Sequence, residues 1–205
     1  YSIGLTVDHQ LNWSEHINNM CSTINSKLYH LRNLSKFLPQ DTLCQIYLSY
    51  IQPYFDYHNI VWGRWSDKLL QQLQCLQNRA ARILTNNYDY INIRGHQLVN
   101  QLGCHNIKHR IHYSTSILIF KCLNGMAPNY LSDQFTRLSE VSDYSTRASG
   151  SNVLLLPQAK TQKLRCSLLF NGAKLWNELL ASLRQCIYLN DFKSHYKSFY
   201  NNLDF

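Results

Sequence analysis

Apolar residues recur every three or four positions along most of the chain, which is the spacing of helices that bury one face. Residues 69–84 show this spacing most clearly, and the side chain of Ser66 or Asp67 can cap the first turn. The opposite face of this predicted helix has no acidic residue and carries Gln71, Cys75, Asn78, Arg79 and Arg82. We therefore expect one buried side and one cationic side that points out of the fold.

A longer predicted helix begins at Ser14, which can serve as its N-cap, and Glu15 lies in the first turn, where the helix dipole favours an acid. Its apolar stripe is Ile17, Met20, Cys21, Ile24, Leu28, Leu31 and Leu34. Lys27, Arg32 and Lys36 gather in its second half. These cations either stabilise the C-terminal end of the helix or contact a partner.

Between these two segments, a helix capped by Asp41 is expected to end or kink at Pro53. Its inward positions are Leu43, Ile46, Tyr47, Tyr50 and Ile51. No Lys or Arg occurs between Asp41 and Gly63, so this helix is predicted to serve the core and not a contact surface. Residues 13–87 thus predict a three-helix bundle.

The rest of the chain also shows helical spacing, interrupted by turn signals. We expect helices from His96 to Leu102, from Asn106 to Asn124 and from Phe170 to Leu183, and a last one capped by Asn190 or Asp191. In residues 1–8, apolar residues alternate with small or polar ones, which predicts a short strand. The predicted fold is therefore all-α with one N-terminal strand. Its regions are the strand end (1–12), the bundle (13–87), a helical extension (88–136), a basic linker with a short extended segment (137–165) and a C-terminal helical pair (166–205).

The chain is basic: its 205 residues include 20 Lys and Arg against 12 Asp and Glu, which gives a net charge of +8. Such a positive field favours polyanions, because each cation placed on a phosphate releases condensed counterions. A solvated basic surface without a partner is the alternative.

The seven cysteines stand at irregular spacings and form no Cys-x-x-Cys pair, which is typical of reduced core thiols in an intracellular protein. Apolar runs are too short to predict a membrane span or a signal peptide. The chain starts inside the predicted strand, so we expect it to be a fragment of a longer protein.

Several phrases along the chain resemble one family. Residues 73–85, LQCLQNRAARILT, resemble LQ-x-LQNRAARIIT, a stretch downstream of the polymerase domain in reverse transcriptases of jockey-like non-LTR retrotransposons. Residues 120–131, FKCLNGMAPNYL, resemble that family's YKILNGLAP-x-YL, and residues 172–177, GAKLWN, resemble its GAKLWNSLP. The resemblance runs from residue 1, where the strand is similar to one that closes the palm, to about residue 200.

The resemblance implies the thumb and post-thumb region of an RNA-directed DNA polymerase. Its partners would be an RNA or DNA template-primer duplex and the upstream palm of the same polypeptide, and no membrane partner is expected. The protein would be located in the cytoplasm and nucleus. Sequence-independent phosphate contacts are expected from Arg79, Arg82, Lys27, Arg32, Lys36 and Arg94. The family's Asp-Asp motif, which binds a catalytic metal pair, is absent, so we expect no catalytic residue, no cofactor in this fragment and Mg²⁺ only in the full polymerase.

Other interpretations stay open. Cys104, His105, His109 and His112 are a weak zinc candidate, because the three histidines share one helical face; half-exposed helix histidines are the alternative. A second hypothesis for the whole chain is a degenerate or host-reused helical module that binds an acidic protein. An independent enzyme is disfavoured, since the sequence contains no Gly-rich phosphate loop, nucleophile elbow or HExxH motif.

Overall fold

The structure is a computed structural model that describes residues 4–9, 11–64, 66–141 and 152–201. Helices account for most of these residues, so the all-α prediction is confirmed. The helices are α1 (Ser14–Leu34), α2 (Gln40–Ile46), α3 (Gln52–Asp56), α4 (Asn59–Trp62), α5 (Asp67–Thr85), α6 (Gly95–Gln101), α7 (Ile107–Leu123), α8 (Asn129–Ser132), α9 (Leu138–Val141), α10 (Gln162–Cys166), α11 (Leu168–Glu178), α12 (Ala181–Arg184) and α13 (Leu189–Asn201). None of the described helices is both long and apolar enough to cross a bilayer.

The chain divides into two compact units, Tyr1–Ile111 and His112–Phe205. The division falls inside α7, whereas the sequence suggested a break after residue 87. The difference arises because α6 packs against α5 and because Ile107 and Ile111 join the core of the first unit. The first unit therefore contains more than a three-helix bundle.

In the first unit, α1 and α5 pack against each other and against the segment that contains α2 and α3. The core side chains are almost fully enclosed: Ile17, Ile24, Leu28, Leu31, Leu43, Tyr47, Ile51, Phe55, Trp62, Leu73, Leu76, Ala80, Leu84, Ile107 and Ile111. These include most of the apolar positions expected from the helical spacing. Each large apolar side chain that is fully buried stabilises the fold by about 1.5–3 kcal/mol relative to exposure.

The N-cap of α1 is Trp13, one residue earlier than the predicted N-cap Ser14. Trp13 lies before the first turn in the left-handed region (φ 59°), so Ser14 is the first helical residue and not the N-cap. The Asn12 side chain instead accepts a hydrogen bond from the Ser14 amide at 3.0 Å. Glu15 lies in the first turn, as predicted, while Leu34 is partly exposed at the last residue of the helix.

The predicted disturbance near Pro53 takes the form of a π-helical turn, Tyr47–Ile51, between α2 and α3. Wider turns of this kind accommodate a proline by leaving out a hydrogen bond of the regular ladder. Tyr47 and Ile51 point into the core, as expected. The inward placement of Tyr50 is wrong, because its side chain is 47% exposed.

The second unit is built around aromatic rings. Phe192 lies 4.8 Å from Phe120 and 5.9 Å from Trp176, measured between ring centroids. Tyr196 continues this cluster, and all four side chains are buried. Burial of such large rings makes α7, α11 and α13 the main contributors to this core.

An extended segment completes the second unit within the region predicted as a linker. Leu154 is buried, forms an isolated antiparallel bridge with Arg137, and has both its backbone groups bonded to the Asn177 side chain at 2.8 and 2.9 Å. The predicted extended segment is therefore attached to the core of the second unit at Leu154. Residues 142–151 of the predicted linker lie outside the described residues.

The N-terminal strand is not found in the described residues. Residues 1–3 lie outside them, and Gly4 occupies a turn with φ +74°. This left-handed conformation is accessible to glycine because it has no Cβ. Leu5, one residue later, is buried in the core of the first unit.

Candidate nucleic-acid interface

Arg79 lies on the exposed side of α5, as predicted. Its Nη1 donates a hydrogen bond of 2.6 Å to Oδ1 of Asn25 on α1. Asn25 carries no charge, so it orients the guanidinium without neutralising it. The remaining guanidinium N–H groups are suited to bidentate contact with a phosphate.

Arg32 lies further along the same side of α1, and Lys36 lies in the turn that follows the helix. Asn25, Tyr29 and Arg32 recur at spacings of four and three residues, which places these three on one side of α1. Both cations are exposed, and the Arg32 Cζ atom lies 5.8 Å from the centroid of the Tyr88 ring. The facing edges of α1 and α5 thus form one cationic surface, here called the α1/α5 edge: Asn25, Tyr29, Arg32 and Arg79.

Arg82 does not join this edge, and its predicted outward placement is wrong. The side chain is 6% exposed, and its guanidinium donates to the backbone carbonyls of Asp89 at 3.0 Å and Ile93 at 2.8 Å. A longer contact of 3.5 Å reaches the carbonyl of Asn87, and the Tyr90 ring covers the cation at 4.1 Å. The helical spacing placed Arg82 correctly opposite the core, but the chain that follows α5 folds back over it.

The covering segment is residues 86–93, here called the return loop. Asn86 reverses the chain in the left-handed region (φ 49°), and Asp89 accepts hydrogen bonds from the Ile91 and Asn92 amides. These bonds, chiefly those from Asn92, favour the carboxylate and lower the pKa of Asp89. The positive charge of Arg82 is thus used to hold carbonyl dipoles together, and it is largely withdrawn from solvent.

The return loop also presents exposed apolar and aromatic groups. Tyr90 is 67% exposed and Ile91 92% exposed, although Tyr90 contacts Arg82. Tyr88 is exposed too, next to Arg32. None of these residues was singled out from the sequence, where residues 88–136 were assigned to a helical extension. An alternation of tyrosines directly after a basic helix is the signal that could have found them.

Arg94 is exposed and stands immediately before α6. It follows Ile93, whose carbonyl accepts from Arg82, so the return loop fixes where the Arg94 backbone lies. Its amide donates to the Gln97 side chain at 2.9 Å. The next residue, Gly95, lies so close to Asn78 that a Cβ atom would come within 2.6 Å of that side chain.

Lys27 lies on the other flank of α1, about 200° around the helix axis from Asn25. Its Nζ atom is 3.2 Å from the centroid of the Tyr50 ring and 5.0 Å from that of Tyr54. Partial burial opposes the charge, but hydrogen bonding to Tyr50 and interaction with Tyr54 outweigh it and raise the pKa of Lys27. The six predicted contact residues therefore divide into an exposed set (Arg32, Lys36, Arg79, Arg94), an enclosed arginine (Arg82) and a separate lysine (Lys27).

The weak zinc candidate is not assembled. His105 and His109 have ring centroids 4.3 Å apart, and His109 is buried. However, no three His, Cys, Asp or Glu side chains converge on a metal-binding position in the part of the chain that the structure describes. Burial raises the pKa of Cys104, which disfavours the thiolate that a zinc ligand requires.

Similarity to known proteins does not assign this surface to a family. Comparison with protein-family models, with curated proteins and with solved structures gives no match for this chain.

Proposed function

We propose that this chain is the post-palm region of a non-LTR retrotransposon reverse transcriptase and that it holds the template-primer duplex through phosphate contacts. The observation that carries the proposal is the α1/α5 edge, where Arg32 and Arg79 stand exposed on two helices that pack together. The sequence phrases that resemble this polymerase family supply the kind of partner.

The contacts would position a strand without reading its bases. Guanidinium groups bind phosphate oxygens in a fork geometry that is the same at every nucleotide. Asn25 holds the Arg79 guanidinium in place before binding, which reduces the side-chain entropy lost on contact. Arg94 and Lys36 add further cations in the same unit.

In this proposal the chain contributes binding and no chemistry. The bundle of α1, the segment from α2 to α3, and α5 would act as a thumb beside an upstream palm of the same polypeptide. The palm would supply the carboxylates and their Mg²⁺ ions, since the chain has no Asp-Asp pair. Binding by this region would keep the primer end in the palm during extension.

The test is the salt dependence of duplex binding by the 205-residue chain. Each phosphate contact contributes about 0.9 to the slope of log affinity against log salt. Arg32→Ala with Arg79→Ala should therefore reduce the magnitude of the slope by roughly 1.8 and weaken binding to all sequences about equally. An RNA–DNA hybrid and a DNA duplex of unrelated sequence are the substrates.

The matched control is Lys68→Ala with Lys108→Ala. Both lysines are exposed, they lie in the same unit, and the double variant removes the same two charges. The control should leave most of the slope in place. An equal loss of slope in both double variants would show that binding depends on net charge and not on the proposed edge. An unchanged slope in Arg32→Ala with Arg79→Ala would also refute the proposed edge.

A second candidate is a helical module that binds an acidic protein. Ile91 and Phe37 favour it, because side chains that are 92% and 83% exposed are typical anchors of protein interfaces. The two candidates differ in competition. If the chain is a protein-binding module, a protein partner recovered with it should stay bound in excess duplex. If the protein partner and the duplex both use the α1/α5 edge, the duplex should displace the partner.

A further inference from the structure

A cleft of about 410 Å³ lies on the flank of α1 that carries Lys27, away from the α1/α5 edge. One wall is the α1 face that contains His16, Asn19, Met20 and Thr23, which follow one another at helical spacing. The opposite wall is the segment Pro53–Tyr57, with the rings of Tyr54 and Tyr57. A volume of this size accommodates a small organic ligand.

The end of the cleft is closed by the chain before α1. Gly4 lies against the Tyr57 ring, where a Cβ atom would sit 3.5 Å from the ring edge. The Thr6 amide donates to Nδ1 of His16 at 3.5 Å. In the neutral tautomer that accepts this bond at Nδ1, Nε2 carries the proton and can donate a hydrogen bond.

The cleft lining combines flat apolar surface with a few polar groups. Tyr54 and Tyr57 offer ring surface of the kind on which planar heterocycles stack, and the largely buried Met20 side chain adds a small apolar area. The Asn19 amide provides two donors and an acceptor, the pattern that proteins use to pair with the edge of a base. The Thr23 hydroxyl is directed to the Asn19 carbonyl at 3.0 Å, so it acts chiefly as an acceptor toward a ligand.

A cation stands beside this lining. Lys27 lies one helical turn beyond Thr23, and its Nζ atom is held over the rings of Tyr50 and Tyr54, of which Tyr54 also lines the cleft. The two rings fix the position of a charge that would otherwise move on a flexible side chain. The nearest described carboxylate along the Tyr54 segment is Asp56, which is paired with Arg110.

We propose that this cleft binds a single nucleotide, with its base against the rings of Tyr54 and Tyr57 and with its phosphate at Lys27. Asn19 and His16 provide hydrogen bonds to the base edge. The same chemistry fits a free nucleoside monophosphate and an unpaired nucleotide at the end of a strand. The site is separate from the proposed duplex surface, because the two occupy different flanks of α1.

The experiment titrates the full chain with AMP, UMP and adenosine and follows binding by calorimetry and by tyrosine fluorescence. Lys27→Met should weaken AMP and UMP binding at least tenfold while leaving adenosine unchanged, since adenosine has no phosphate. Lys68→Met is the matched control and should leave all three affinities unchanged. Thr23→Trp places an indole over the cleft from an exposed helix position and should abolish binding of all three.

Two further measurements distinguish a free monophosphate from a strand end as the ligand, and the cleft from the α1/α5 edge as the site. A single-stranded oligonucleotide that binds in a Thr23-sensitive manner when the monophosphates do not would assign the site to a strand end. Thr23→Trp should leave the salt slope of duplex binding intact, and Arg32→Ala with Arg79→Ala should leave AMP affinity intact. The proposal is overturned if neither monophosphate nor single strand binds, or if Thr23→Trp binds as the unmodified chain does.

Discussion

Arg79 and Arg82 lie one turn apart on the same helix, in the same phrase of the sequence, yet they occupy different environments. Arg79 is exposed and touches the neutral side chain of Asn25. Arg82 is enclosed by the return loop and donates to its carbonyl groups. The Arg79 guanidinium is available to a partner, whereas the Arg82 guanidinium is bound to backbone carbonyls of the protein itself.

The difference shows that basic residues aligned on one face of a predicted helix do not all form an exposed cationic surface in the folded protein. Backbone carbonyls are acceptors that every segment carries, so any loop that returns across a helix can occupy an arginine. Acidic residues are not needed for this, and the absence of Asp or Glu from a helix face therefore does not predict exposure. Electrostatic arguments from sequence have to include the chain that follows the helix.

The largest effect should follow from Arg82→Ala. The substitution removes the donors that hold the return loop and leaves carbonyl groups without their partner, which we expect to lower the free energy of unfolding by about 3 kcal/mol. Urea denaturation of the full chain, followed by circular dichroism, measures the change. Loss of the loop should also increase hydrogen exchange at residues 86–94.

Arg79→Ala is the matched comparison for that experiment. It removes the same side chain from an exposed position and should change the stability by less than about 0.5 kcal/mol. Equal destabilisation by both substitutions would show that the two arginines do not differ as described. Arg82→Lys sharpens the test further, because it keeps the charge but not the forked donor geometry, and it should recover only part of the lost stability.

An intermediate case is Arg110, which is paired with a carboxylate. Its Nε donates to Oδ1 of Asp56 at 2.7 Å, and the Asp56 side chain is 40% exposed. Solvent screens a pair at such a site, so Asp56→Asn should cost about 0.5 kcal/mol. The loss should shrink in 1 M salt, as expected from a Debye length of about 3 Å. A loss as large as that of Arg82→Ala would contradict the ranking of these arginines.

The smallest expected effect concerns His16, where burial acts on a titrating group. Burial, followed by the nearby charge of His58, lowers the pKa of His16 below its usual value of 6.5. Above pH 6.5 the imidazole is neutral in both states, so its contribution to stability is complete. As the pH falls below 6.5, the unfolded chain takes up the proton first and stability decreases.

His16→Gln should flatten this part of the stability profile between pH 7 and 5. The measurement is the urea midpoint at a series of pH values, compared with the unmodified chain. His30→Gln is the control, since His30 is an exposed histidine on the same helix. Identical profiles for the unmodified chain and His16→Gln would contradict the assigned environment.

The sequence predicted the helices better than the surfaces. The apolar spacing of residues 17–31 and 69–84 was enough to find the buried faces, because that spacing reflects the geometry of one helix. The helix predicted to begin at Asn106 is also found, and the Asn106 side chain caps it by accepting a hydrogen bond from the His109 amide at 2.7 Å. Such contacts are local and depend on neighbouring residues alone.

What escaped prediction depends on residues distant in sequence or on the path of a loop. The enclosure of Arg82 needs the reversal at Asn86, and the attachment of Leu154 needs the Asn177 side chain from 23 residues away. Lys27 was grouped with Arg32 by composition, although helical geometry already separated them. That last separation could have been read from the sequence by assigning each cation an angle around the axis.

The π-helical turn has a consequence for reading such chains. Leu43, Tyr47, Ile51 and Phe55 are all buried and follow one another at intervals of four residues. In a regular α-helix each such interval advances by about 40° beyond a full turn, so the last residue would be displaced by about 120° from the first. The widened turn absorbs about one residue of this rotation and keeps the four side chains in register. An interval of four that repeats across a proline is thus the spacing that a π-helical turn keeps on one face, and the same turn leaves Tyr50 exposed with its ring beside Lys27.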